Sequence, residues 1–244
     1  MKLSEFSVGR NLKVLAYGHS GAGKTIFASS FPGPIFFADF DGKVSSVANY
    51  LRGSKKIDEI EFETYLPRPG EKDDRPFVRY NTKLVELENA AKAGNFPYKT
   101  VVIDSLTLYA DQMLKEVVLQ NPGIKRQESP TTKLTSMQDY MILNLHFKNM
   151  LVRVLQLPCN VVVTAHIQVT KDDITGEIHR EAQLPGKLAS FLPIMFEEVY
   201  RVYSADGKYL AQTQSSAQYN ARSQIKGLPN PMVLSYSEIE KVVK

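Results

Sequence analysis

Residues 18–25 read Gly-His-Ser-Gly-Ala-Gly-Lys-Thr, directly after the apolar run 12–17. This spacing, G-x-x-x-x-G-K-S/T, constrains the chain more than any other feature. Glycines at those places let successive backbone N–H groups turn inward around an anion. Such a loop needs an apolar strand before it and a helix after it. Residues 25–30 read as that helix, closed by Phe31-Pro32-Gly33-Pro34. The helix turns its unpaired N–H groups and the positive end of its dipole toward the same anion. Gly18, His19, Ser20, Gly21, Ala22, Gly23, Lys24 and Thr25, with Ile26 next on the helix, therefore form a cradle for nucleotide phosphates. Lys24 reaches the β- and γ-phosphates as a point charge, and the Thr25 hydroxyl suits a Mg2+ bridging them. His19 fills a free position and receives no role of its own. ATP and Mg2+ are the expected ligands. The loop does not choose the base, and the lack of an N-K-x-D lysine favours adenine over guanine.

Further apolar runs surround this loop with a sheet. Residues 35–39, 100–103 and 160–164 each carry an unbroken apolar stretch, as in strands buried on both faces, while 60–65 alternates and has one wet face. Helical periodicity marks 81–93, 106–119 and 137–157, and 186–191 reads as a short helix. Hairpins are expected over 168–181, turning at 172–176, and over 198–203 with 209–213, turning at Asp206-Gly207. A short strand at 232–234 precedes a helical end. Strands alternating with helices predict an α/β fold whose mainly parallel sheet is covered by helices on both faces, with a C-terminal hairpin. One domain over 1–244 is expected, with surface insertions near 66–76, 120–136 and 168–185.

Composition excludes little. With 244 residues, 43% hydrophobic and 23% charged, the chain can bury a core without disulfides. The single Cys159, just before the apolar 161–163, reads as a buried inert thiol and suits a reducing cytoplasm. No apolar run approaches the ~20 residues of a membrane span, and residues 1–10 lack a leader pattern, so no membrane partner is expected. The net charge of +4 and pI of about 8.9 permit a nucleic-acid partner without arguing for one. One cysteine and scattered histidines, His146 and His179 among them, give no zinc pattern.

Three strand ends supply polar groups near the loop. Asp104 ends the run Val101-Val102-Ile103 at the carboxyl edge of the sheet, where it can hold the Mg2+ hydration shell together with Thr25. The strand 35–38 runs into Asp39-Phe40-Asp41-Gly42. Asp41 is the candidate for activating the attacking water, and Asp39 for a supporting acid. The strand 161–164 delivers Ala165-His166 to the same edge, where His166 is the candidate for sensing the γ-phosphate.

Together these elements resemble the RecA/RadA-like branch of P-loop ATPases. Phe36-Phe37-Ala38-Asp39-Phe40-Asp41 is similar to the strand carrying that family's catalytic acid, commonly Glu, with Asp41 in its place. Val101-Val102-Ile103-Asp104-Ser105 is similar to its second magnesium-linked motif, and Val161 to His166 to its sensor strand, where Gln or Asn is usual. The chain further resembles phage-encoded nucleotide-binding ATPases related to single-strand annealing recombinases. That resemblance lies in Leu157-Pro158-Cys159-Asn160-Val161 through Leu184-Pro185-Gly186-Lys187-Leu188, and in Asn220-Ala221-Arg222-Ser223 before Leu228-Pro229. It implies single-stranded DNA as a partner, with Lys171, His179, Arg180 and Lys187 facing it and Asp172, Asp173, Glu177 and Glu181 partly cancelling their charge. It also implies self-association into a filament or ring, in which Arg222 or Lys226 would reach a neighbour's phosphates, and a single-strand-binding protein as a further partner. Two other readings share the loop. One is a regulatory or assembly protein that binds ATP with little hydrolysis and acts on a protein partner. The other is a small-molecule kinase, against which stands the lack of an arginine-rich lid.

Overall fold

The computed structural model describes residues 11–243 except 69, 72–73, 121–127, 130–131, 134, 172–175 and 177; for 118–120, 128–129, 132–133 and 179 it describes the backbone alone. In chain order the elements are β1 (Lys13–Gly18), α1 (Lys24–Ser29), β2 (Ile35–Asp39), α2 (Val44–Tyr50), β3 (Ile60–Thr64), α3 (Pro76–Lys92), β4 (Thr100–Asp104) and α4 (Leu106–Gln120). The two-residue strands β5 (Glu128–Ser129) and β6 (Thr132–Lys133) pair with each other, and α5 (Met137–Leu155) follows. Then come β7 (Asn160–Lys171), β8 (Ile178–Ala182), α6 (Leu188–Phe191), β9 (Glu198–Ala205), β10 (Lys208–Gln212), β11 (Met232–Val233) and α7 (Tyr236–Val243). Among the described residues nine strands form one mixed, mostly parallel sheet in the order β11-β10-β9-β1-β7-β4-β2-β3, with β8 paired to the far end of β7. The strands from β9 to β3 run parallel, and β8, β10 and β11 are antiparallel to their neighbours.

The apolar runs are continuous because each strand feeds two cores. Side chains alternate across the sheet with period two. Leu15 and Tyr17 of β1 join Ile103, Val161 and Val163 under α3, α4 and α5, whereas Val14 and Ala16 join Phe37, Val102 and Val162 on the side of α1 and α7. Each buried side chain of this size stabilises by about 1.5–3 kcal/mol. The helices meet the sheet at helical spacing: Tyr80, Leu84 and Leu87 on α3, and Leu143, Phe147, Met150, Leu151 and Val154 on α5. Ser136 and Asp139 close a reciprocal capping box at the start of α5. Cys159 is free and buried, and burial pushes its thiol up to about 11.

The structure departs from the sequence reading where a distant side chain sets an element's end. Helix α3 starts at Pro76 rather than 81 because the buried Glu116 of α4 accepts the Phe77 amide at 2.7 Å and the Val78 amide at 3.4 Å. Helix α2, unexpected from sequence, is entered through Asp39, whose carboxylate accepts from the Lys43 and Val44 amides at 3.1 and 3.2 Å. Strand β7 runs on to Lys171 because β8 pairs with its second half; most of the turn expected at 172–176 lies outside the described residues. Leu66 and Asp74 are tied to α3: Arg79 donates to Leu66 O at 2.9 Å and to Asp74 Oδ1 at 2.8 Å.

Candidate active site

The parallel strands bring their carboxyl ends to one edge. Gly18 pairs with His166 across β1 and β7, and Asp39 with Asp104 across β2 and β4. Because β7 lies between β1 and β4, the loop, Asp104 and His166 converge at the edge where α/β sheets hold ligands.

Backbone geometry explains the loop's glycines. A Cβ on Gly18 would stand 2.1 Å from Val202 O of β9, so no side chain fits. Gly21 and Gly23 hold φ of +76° and +92°, in the left-handed region that glycine adopts without strain. His19, Ser20 and Gly21 form the exposed tip, while Ala22 and Ile26 pack on the α1-side core. Lys24 is buried, and its ammonium donates to Gly18 O at 2.9 Å and His19 O at 2.8 Å, inside its own loop. Burial lowers its pKa, and the nearby charges of Asp104 and Asp41 partly restore it. An ammonium held by neutral carbonyls in a buried loop suits an arriving phosphate.

Thr25 and Asp104 meet next to the loop, the Thr25 hydroxyl donating to Asp104 Oδ2 at 2.7 Å. The other carboxylate oxygen accepts from the buried Thr164 hydroxyl of β7. Burial raises the Asp104 pKa. The Thr164 and Thr25 bonds pull it back, and the charge of Asp41 pushes it further up. The paired hydroxyl and carboxylate oxygens are the hard donors Mg2+ takes. Among the described residues no three His, Cys, Asp or Glu side chains gather as a metal site of their own. Thr25 and Asp104 therefore fit Mg2+, whose other ligands would be phosphate and water.

Asp41 and His166 form the other half of the edge. Asp41 Oδ2 lies 2.9 Å from His166 Nε2, and Oδ1 accepts from Ser105 Oγ at 2.6 Å and Ser105 N at 3.1 Å. Lys43 Nζ stands 3.7 Å away. Burial alone would raise the Asp41 carboxyl, but the bonds from His166 and Ser105 and the charges of His166 and Lys43 hold it below its ordinary value. The His166 amide donates to Thr107 Oγ1 at 3.0 Å, which fixes the end of β7's first half. Sequence reasoning missed Thr164, Ser105 and Thr107. Thr164 breaks an apolar strand with a hydroxyl one position before the edge, and that was the one available signal.

The remaining candidates lie apart from this cluster. The Arg222 guanidinium donates to three carbonyls of its own chain, Pro193 O at 2.8 Å, Ile194 O at 3.4 Å and Phe196 O, so it fastens the segment after α6. Lys226 is exposed. Lys171 is exposed at the end of β7, and Lys187 is exposed where α6 begins. Arg180 of β8 bonds Gln218 at 2.7 Å and lies over the Tyr219 ring. The side chain of His179 and the acids Asp172, Asp173 and Glu177 lie outside the described side chains.

Residues 10–225 match the AAA domain family. No curated protein matches the chain. No described helix is long and apolar enough to cross a membrane.

Proposed function

The chain belongs to the AAA domain family, whose domain marks it as a P-loop nucleoside triphosphatase, and from that premise we propose that it hydrolyses ATP and couples the reaction to single-stranded DNA in annealing or recombination. One observation carries hydrolysis: beside the loop stands a carboxylate, Asp41, aligned by His166 and Ser105. Lys24 would exchange the Gly18 and His19 carbonyls for β- and γ-phosphate oxygens. Thr25 and Asp104 would hold Mg2+, which supplies charge to the phosphates when bound. Asp41 accepts the proton of the attacking water, and His166 keeps the carboxylate oriented.

The coupling rests on continuity of chain. His166 sits where β7 leaves the sheet edge and becomes one arm of the β7–β8 hairpin, and its carbonyl accepts the Gln183 amide of the other arm at 2.8 Å. A shift at His166 therefore bears on both arms, where Lys171 and Arg180 lie, and on Lys187 beyond them. Self-association would place a second copy against this edge. Steady-state ATPase rates with and without single-stranded DNA, at two salt concentrations, test the proposal, with Lys24→Ala as the inactive control. A DNA-stimulated, salt-sensitive rate supports it, because phosphate contacts release counterions. A rate indifferent to DNA refutes the coupling, and undiminished turnover in Lys24→Ala refutes the site.

A further inference from the structure

A triphosphate lies on a phosphate loop with a direction. Asp104, Asp41 and His166 stand on the β7 and β4 side of β1, where the metal and terminal phosphate belong. The nucleoside then leaves toward the opposite side, where β9 and β10 follow β1 in the sheet. On that side the ring of Tyr209 approaches the loop at Gly23. A Cβ placed on Gly23 would lie 3.0 Å from Tyr209 Cδ1, 3.2 Å from its Cγ and 3.2 Å from Leu234 Cδ2. Tyr209 enters β10 just past the Asp206-Gly207 turn and is 53% exposed beside that loop. The Leu234 amide donates to Tyr209 O at 3.0 Å, which ties the two residues together, and Leu234 packs on the α1-side core and anchors the pair.

We propose that Tyr209, backed by Leu234, is the platform on which the nucleobase of the bound nucleotide stacks. The inference rests on the reading of the loop as a nucleotide site. An aromatic face takes any base by stacking, with larger π surfaces held more firmly. The phosphates are then held by Lys24 and the loop, and the base by β10, so the two contributions separate.

Calorimetric titration of Mg2+-ATP and of Mg2+-tripolyphosphate into the wild type, Tyr209→Phe and Tyr209→Ala separates them. Tyr209→Ala is expected to weaken ATP by about tenfold or more while binding tripolyphosphate as the wild type does, and Tyr209→Phe to keep both affinities. Wild-type ATP affinity in Tyr209→Ala overturns the platform. Equal loss of ATP and tripolyphosphate in that variant also overturns it, because the ring would then only support the loop. A wild type that binds neither ligand overturns the nucleotide site itself along with the platform.

Discussion

The carboxylate of Asp41 and the imidazole of His166 meet at 2.9 Å across 125 positions of sequence. Asp41 lies just past β2 and His166 within β7, and the parallel sheet with β4 between β2 and β7 brings them together. The pair then acts as one unit at the sheet edge: Asp41 holds the negative charge, and His166 and Ser105 orient it.

Residues that act as a unit give losses that do not multiply. Asp41→Ala and His166→Ala are each expected to lower kcat by about a hundredfold, and the double variant by little more than the worse single one. Steady-state turnover of the four proteins checks this. Multiplying losses would show that the two side chains work independently.

Gly18 and Gly21 differ in why glycine is needed. At Gly18 a Cβ meets the Val202 carbonyl at 2.1 Å, and β1 and β9 are both held in the sheet. Gly18→Ala is expected to cost about 3 kcal/mol or more and to disrupt nucleotide binding. At Gly21 nothing lies within 4 Å and only the φ of +76° is strained, so Gly21→Ala is expected to cost about 1–2 kcal/mol. Urea unfolding of the two variants against wild type measures the difference.

Among the described residues the hydroxyls of Tyr80 and Tyr109 are buried without a hydrogen-bond partner, in the cluster of Phe40, Tyr65, Phe77 and Phe147. A buried hydroxyl that makes no bond costs its desolvation. Tyr80→Phe and Tyr109→Phe are therefore expected to leave stability unchanged or raise it by up to about 1 kcal/mol, whereas Tyr109→Ala loses about 3–5 kcal/mol. Thermal unfolding decides, and a marked loss in either Phe variant would reveal an ordered water on the hydroxyl.

Glu88 receives two bonds from the Arg153 guanidinium, at 2.7 and 2.8 Å, joining α3 to α5. Those bonds, more than the opposing burial, hold its carboxyl below the ordinary 4.5. A folded-state value below the unfolded one gives stability that is fully present above about 4.5 and fades as pH falls through the folded value. Glu88→Gln is expected to cost about 0.5–1 kcal/mol at neutral pH, a small figure because the pair is partly exposed to solvent. The gap to wild type should close in acid. Unfolding free energies of both proteins from pH 7 to 3 would show it, and a gap that stays constant would refute the ion pair as its source.

Much of the fold was legible in the sequence because its determinants are local. The runs 35–39 and 100–103 read as buried strands since both of their faces are apolar, and they are β2 and β4. The β9–β10 turn was marked by Asp206-Gly207, whose positive φ values of +51° and +72° such residues tolerate. The start of α3 and the existence of α2 were not legible, because Glu116 and Asp39 satisfy their amides from other elements. Arg222 read as a candidate for reaching a neighbour's phosphates, and only the fold shows the three carbonyls of its own chain that it bonds.

The sequence by itself determined the phosphate loop, since left-handed turns and a close backbone approach demand glycine wherever the chain lies, and it determined the sheet's apolar strands. Tertiary structure decided the partners: Thr164 on Asp104, Ser105 and His166 on Asp41, and Tyr209 against Gly23. Hydrogen bonds and ring contacts act over a few ångströms. Which side chains come within that reach depends on the order in which the strands lie in the sheet, and no local pattern of residues encodes that order.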